Sequence, residues 1–180
     1  MLRKNTTIEK TMISTGFLQR AKIEDLKEIC RFTDFWLAGR GKKIGACGAT
    51  NDCFISPSQH KKYIEKYATW IIKEEEKIIA WSVTQHDGSL IHFLIAGTHR
   101  GKNIGSTFLD ALSPAQIHSK SNQQSGNPGP FYEKHGYIKT ESRQSKSRLD
   151  IDKIKPNRKK TIDIYVKTKE SEEEKTCKAS

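Results

Sequence analysis

Apolar residues at Ile23, Leu26, Ile29 and Cys30 return at helical spacing and predict a helix over Ile23–Leu37. A short strand is expected just before it, at Phe17–Ala21, while residues 1–15 carry no period and read as a flexible leader. Gly39, Gly41, Gly45 and Gly48 then break the pattern into a long loop. Ser56 followed by Pro57 pairs a good N-cap with a residue suited to the first helical position, so a second helix should run to about Ala68. Three strands are expected next. Thr69–Lys73 is rich in β-branched and aromatic residues, and Lys77–Thr84 follows across the acidic turn Glu74–Glu76. Ser89–Ala96 is nearly all apolar, as a strand covered on both faces should be.

Beyond the turn at Gly97–Gly101, the residues Ile104, Phe108, Leu109 and Leu112 share one face of a helix over Ile104–Leu112, which Pro114 stops. Gln116–Ser119 is a weak strand. Ser121–Pro130 is too rich in breakers for regular structure, and Phe131–His135 reads as a short helix closed by Gly136. Tyr137–Glu141 and Thr161–Lys167 complete the pattern as strands, with a long basic connection between them. Strand, two helices, three strands, helix, strand, helix and two strands make an α/β chain with a mixed sheet. The expected domain is 16–169, followed by a charged tail at 170–180.

Size and composition narrow this picture. A chain of 180 residues suits one domain with a substantial core. No apolar run approaches the ~20 residues that cross a bilayer. The first ten residues lack the apolar stretch of a secretory signal. A cytoplasmic protein without a membrane partner is the expectation. Cys30, Cys47, Cys53 and Cys177 contain no CxxC pair, which favours free thiols over disulfides in that setting. Cys47, Cys53 and His60 match no common zinc spacing, so no metal is expected.

The formal net charge is +11. It attracts anions in general: phosphorylated cofactors, nucleic acid or acidic partners. Between Lys139 and Lys169 eleven Lys and Arg face four Asp and Glu, which reads either as a solvated loop or as a nucleic-acid contact. The net charge and the Arg143–Lys160 cluster favour nucleic acid, and the scarcity of aromatics in that cluster weighs against it, since stacking platforms need them.

The stretch richest in chemistry is Leu94-Ile-Ala-Gly-Thr-His-Arg-Gly-Lys-Asn-Ile-Gly-Ser106. A buried strand enters a turn containing Gly101, and a helix containing Gly105 begins at once. Such a turn aims backbone N–H groups and the positive helix end at one point, a ready site for a phosphate or pyrophosphate. Arg100 and Lys102 add positive charge. The plain alternative is an ordinary strand-to-helix turn.

The segment Arg100-Gly-Lys-Asn-Ile-Gly105 resembles the coenzyme motif Gln/Arg-x-x-Gly-x-Gly/Ala of the GNAT acetyltransferase superfamily. Downstream, Phe131-Tyr-Glu-Lys-His-Gly-Tyr137 is similar to that family's FYEKxGF segment. The two occur in the family's order with a strand between them, and the resemblance covers roughly residues 15–168. It implies a mixed, mostly antiparallel sheet of about six to seven strands flanked by four helices. It also implies acetyl-CoA as acyl donor, with a small-molecule or peptide amine as acceptor, and it admits a homodimer.

The resemblance assigns roles residue by residue. The amides of Arg100, Gly101, Lys102, Asn103, Ile104, Gly105 and Ser106 would bind the pyrophosphate. The main chain of Leu94, Ile95 and Ala96 would pair with the pantetheine arm, and the strand from Gln116 would part from Ser89–Ala96 to admit it. Tyr132 matches the general acid, with Lys134 as a nearby positive charge on the coenzyme side. Asn127 lies near an Asn that contacts the coenzyme. Arg40, Lys42 and Lys43 would flank the acceptor, although loop lysines in solvent explain them equally well.

The chain departs from the family at several points. Asn103 replaces the first motif glycine, and Asn tolerates a left-handed backbone better than most residues. Ser125 and Pro128 stand where the family has Asn and Ala. The strand positions that supply a base in some members are Ile91 and Ser89 here, and neither is a base. His92 has the wrong parity for that role without a bulge, so it is read either as a base or as a hydrogen-bonded core histidine. These departures keep two alternatives open: a relative that binds or modifies nucleic acid, and a coenzyme-binding protein without catalysis.

Overall fold

The computed structural model describes residues 11–13, 16–37, 55–121, 127–144 and 161–168. Among them are eight strands and four α-helices, an α/β fold with mostly antiparallel strand pairs. The eighth strand is β1 (Thr11–Ile13), which lies in the segment expected to be a leader and pairs antiparallel with β2 (Gly16–Arg20). Three residues are too few to show a period, so only the pairing reveals it. The chain forms two compact units, Met1–Val83 with Phe93–Leu112, and Thr84–His92 with Ser113–Ser180.

In the first unit, β2 pairs antiparallel with β3 (Ala68–Glu74), and β4 (Lys77–Thr84) follows across a hairpin. Glu75 and Glu76 make that hairpin turn with φ of 46° and 62°, the left-handed geometry that a two-residue turn requires. The expected first helix divides. Ile23–Asp25 form a 3-10 turn, in which Asp25 Oδ2 accepts from the Lys22 amide at 2.8 Å, and α1 then runs over Leu26–Trp36. Ile29, Phe32, Thr33 and Trp36 are its buried stripe. Helix α2 (Pro57–Lys66) starts as expected, with Ser56 Oγ accepting from the Gln59 amide at 3.2 Å. It ends two residues early, because Ala68 already belongs to β3.

Helix α3 (Ile104–Leu112) buries Ile104 and Phe108 against Leu18, Ile72, Ile79 and Ala80, with Trp70, Phe93, Ile95 and Leu112 around them. Each fully buried side chain of this kind stabilises the fold by roughly 1.5–3 kcal/mol. Ile71 and Ile72 are both 0% exposed, so β3 is covered on both faces.

In the second unit, a parallel ladder joins β5 (Ser89–Ile95) to β6 (Gln116–Ser121) at Ser89↔Gln116 and Leu90↔Ile117. It goes no further, although β6 continues to Ser121. The Gln116 side chain locks this short ladder by donating to Ser89 Oγ at 2.7 Å. Strand β6 then pairs antiparallel with β8 (Thr161–Lys167), and β8 with β7 (Tyr137–Gln144). A register shift at Lys139/Glu141 kinks β7. Helix α4 (Gly129–Lys134) begins two residues before the expected Phe131, because Gly129 and Pro130 already turn helically.

Candidate active site

Strand β5 delivers Leu94 and Ile95, and the amide of Ala96 just beyond it donates to Ile79 O at 2.9 Å, so the strand's end is fixed to β4. A 3-10 turn follows at Gly97–His99. Its last residue is clamped from two sides: His99 Nε2 lies 2.9 Å from Glu74 Oε2, and its Nδ1 lies 2.9 Å from Thr98 Oγ1. No local pattern signals this clamp, since Glu74 is distant in the chain.

The backbone then becomes left-handed at Gly101 (φ 77°) and again at Asn103 (φ 62°). Asn103 thus carries a left-handed backbone at the position where the motif has glycine. A Cβ placed on Gly101 would meet nothing within 4 Å, so this stretch of backbone borders open space. Arg100, Gly101, Lys102 and Asn103 are exposed, whereas Ile104 is buried and roots α3 in the core. The first amides of a helix have no intrahelical acceptor. Here those of Ile104, Gly105 and Ser106 open a nine-residue helix directly after two left-handed residues. Arg100 bends back, donating from Nε to Ile95 O at 3.4 Å. This arrangement suits an extended anion on backbone amides, with Lys102 and Arg100 beside it.

In the second unit, Tyr132 is 6% exposed on α4. Its ring lies 5.4 Å from that of Tyr165 and 5.5 Å from that of Phe131. Burial pushes the phenol up to about 12, and a hydrogen bond with Ser119 opposes that shift. Lys134, expected to supply a favourable charge, is exposed, and the group that opposes the shift is Ser119. Sequence reasoning missed Ser119, Tyr165 and Asp163. Asp163 is 7% exposed, and its Oδ1 accepts from Ser142 Oγ at 2.6 Å and from Lys139 Nζ at 2.8 Å. Only the β6–β8–β7 register brings these residues together.

Asn127 Oδ1 accepts from the Gly129 amide at 2.9 Å, so this side chain helps to start α4. His92 is half-buried in β5. Arg40, Lys42, Lys43, Cys47, Cys53, Cys177, Ser125 and the basic connection at 145–160 lie outside the described residues. His60 is 1% exposed, with Nε2 2.9 Å from Thr33 Oγ1 and its ring 5.4 Å from Trp81. Among the described residues no group of three or more His, Cys, Asp or Glu is placed to hold a metal ion. No helix among them is long and apolar enough to cross a membrane.

The pattern of the acetyltransferase (GNAT) domain family matches residues 40–152. Solved structures agree in fold. A GCN5-related N-acetyltransferase from Rhodopseudomonas palustris is 12% identical, with 89% of this chain and 99% of that one covered and a TM-score of 0.57. Ard1 from Thermoplasma volcanium is 10% identical, covering 86% and 99%, also with a TM-score of 0.57. The ribosomal-protein-S18-alanine N-acetyltransferase from Escherichia coli is 12% identical, covering 83% and 91%, with a TM-score of 0.58. No curated protein matches the chain in sequence.

Proposed function

Because the chain belongs to the GNAT acetyltransferase family, we propose that it transfers an acetyl group from acetyl-CoA to an amine by direct attack, with Tyr132 as general acid. The observation that carries this reading is the turn at Gly101–Asn103: two left-handed residues ahead of α3, exposed backbone, and open space where a side chain would stand. The amides from Arg100 to Ser106 would hold the coenzyme's pyrophosphate. The main chain of Leu94–Ala96 would pair with the pantetheine arm, and Asn127 and Lys134 would add side-chain contacts.

The reaction joins the amine nitrogen to the thioester carbonyl carbon. Main-chain amides stabilise the oxyanion, and the C–S bond then breaks as the sulfur takes a proton. The acceptor amine must first lose a proton, to His92 or to water. A phenol near 12 stays protonated throughout the physiological range, so the donor is always loaded. Full transfer to a Cys-like thiolate with pKa about 8.5 would be uphill by roughly 3.5 units, about 5 kcal/mol. The phenol therefore acts first as a hydrogen-bond donor to the developing thiolate, and the proton moves as the C–S bond breaks.

On the acceptor side we place Arg40, Lys42 and Lys43, which favour an acceptor with negative charge. Thiol release from acetyl-CoA, followed across amines, peptides and oligonucleotides, tests the reading. Release with an amine-bearing acceptor supports it. Tight coenzyme binding with no release from any acceptor would make the chain a coenzyme-binding protein without catalysis.

A further inference from the structure

Helix α4 is six residues long, and its first residue, Gly129, and its fourth, Tyr132, share one face. Both meet the same side chain. The Tyr165 hydroxyl lies 2.6 Å from where a Cβ on Gly129 would be, and the Tyr165 ring is 5.4 Å from that of Tyr132. Across the β6–β8 ladder, Ile117 is the partner of Tyr165 and Ser119 the partner of Asp163. The strand period of two therefore puts Ile117, Ser119, Asp163 and Tyr165 on one face of the sheet. Ser119 is 6% exposed there, and its side chain is hydrogen-bonded to the Tyr132 phenol.

A phenol that gives its proton to a departing sulfur must keep that proton pointing at the sulfur. In its bond with Ser119 the phenol oxygen must then accept. A serine hydroxyl rotates to donate there, which an aliphatic side chain of similar size cannot do. We infer that Ser119 is a positioning residue for Tyr132. Its hydroxyl donates to the phenol oxygen and turns the phenol proton away from β6, while Tyr165, seated over Gly129, fixes the ring. This inference rests on the acetyl-transfer reading.

The test uses the full chain with tyrosines labelled at Cζ, and acetyl-CoA alone as the kinetic probe. With water as acceptor, the C–O bond forms, the C–S bond breaks, and the leaving thiolate still requires a proton. The Tyr132 resonance is assigned by its loss in Tyr132→Phe. It should shift in Ser119→Ala and return in Ser119→Thr, while the Tyr165 resonance stays in place. Thiol release in Ser119→Ala should fall about tenfold in kcat, the kinetic equivalent of one net hydrogen bond. KM for acetyl-CoA should not change, and Ser119→Thr should restore the rate. An unmoved Tyr132 resonance, or a loss that Ser119→Thr does not rescue, overturns the positioning role while leaving the acid reading intact. Wild-type release in Tyr132→Phe overturns the acid reading itself, and the inference falls with it.

Discussion

Between Ala96 and Ser106 the candidate chemistry is carried by backbone: left-handed turns, helix-start amides and a glycine facing open space. Around Tyr132 it is carried by side chains from α4, β6 and β8, and the group that matters most is buried. The two regions therefore fail in different ways. A backbone site tolerates most side-chain changes and is damaged by whatever blocks the anion's space or alters φ. A side-chain site is damaged by removing a hydroxyl, or by a single methyl that shifts α4.

Removing the phenol hydroxyl should damage the side-chain region alone. Tyr132→Phe should lower turnover by about 10²–10⁴-fold, the usual loss for a general acid. Coenzyme affinity, measured by titration, should stay at the wild-type value. A matching loss of affinity would mean that the two regions are not separable in this way.

Acid should act on the first unit, through His60. Burial depresses its pKa from 6.5 to about 4, and among the described residues its Nδ1 has no hydrogen-bond partner to receive an added proton's N–H. The folded state favours neutral imidazole, so the unfolded chain binds the extra proton. The contribution is intact above pH 6.5 and is lost as pH falls from there to about 4, by up to about 3 kcal/mol. Denaturant midpoints between pH 7 and pH 4 should show this slope, and His60→Gln should flatten it. An unchanged slope in His60→Gln would assign the acid sensitivity elsewhere.

A smaller change sharpens the contrast at Gly129. Its Cβ would stand 2.6 Å from the Tyr165 hydroxyl and 2.9 Å from Asn127 Oδ1. Gly129→Ala should therefore destabilise by about 1–3 kcal/mol, as overpacking does. Turnover should drop by more than coenzyme affinity, which changes only through the displaced Asn127 side chain.

The smallest effect belongs to the backbone region. Asn103→Ala should cost about 1–2 kcal/mol, because alanine resists a φ of 62°. Asn103→Gly should stay near wild type in chemical denaturation. Equal costs for both would show that the left-handed turn does not govern this position.

The same contrast explains what was legible in the sequence. Helix α3 and strands β4 and β8 fall where the sequence pattern put them, because each has a sustained apolar pattern. The turn from Arg100 to Ser106 was legible because its residues are consecutive and its glycine and helix start are local signals. Strand β1 was not, since three residues gain their conformation only from β2. Nor were Ser119, Tyr165 and Asp163. Ser119 reads as one polar residue in a weak strand, and its meaning comes from the register Ser119↔Asp163 beside Ile117↔Tyr165. The His99–Glu74 clamp is likewise a product of tertiary structure.

If the turn before α3 holds acetyl-CoA, the coenzyme must raise the thermal unfolding midpoint of the chain. At 100 times its dissociation constant the coenzyme should stabilise the wild-type chain by about 2.7 kcal/mol, raising the midpoint. Gly105→Glu should abolish that rise, because a carboxylate would stand in the anion's place. An unchanged midpoint for the wild-type chain at millimolar acetyl-CoA, or an equal rise in Gly105→Glu, would contradict the assignment.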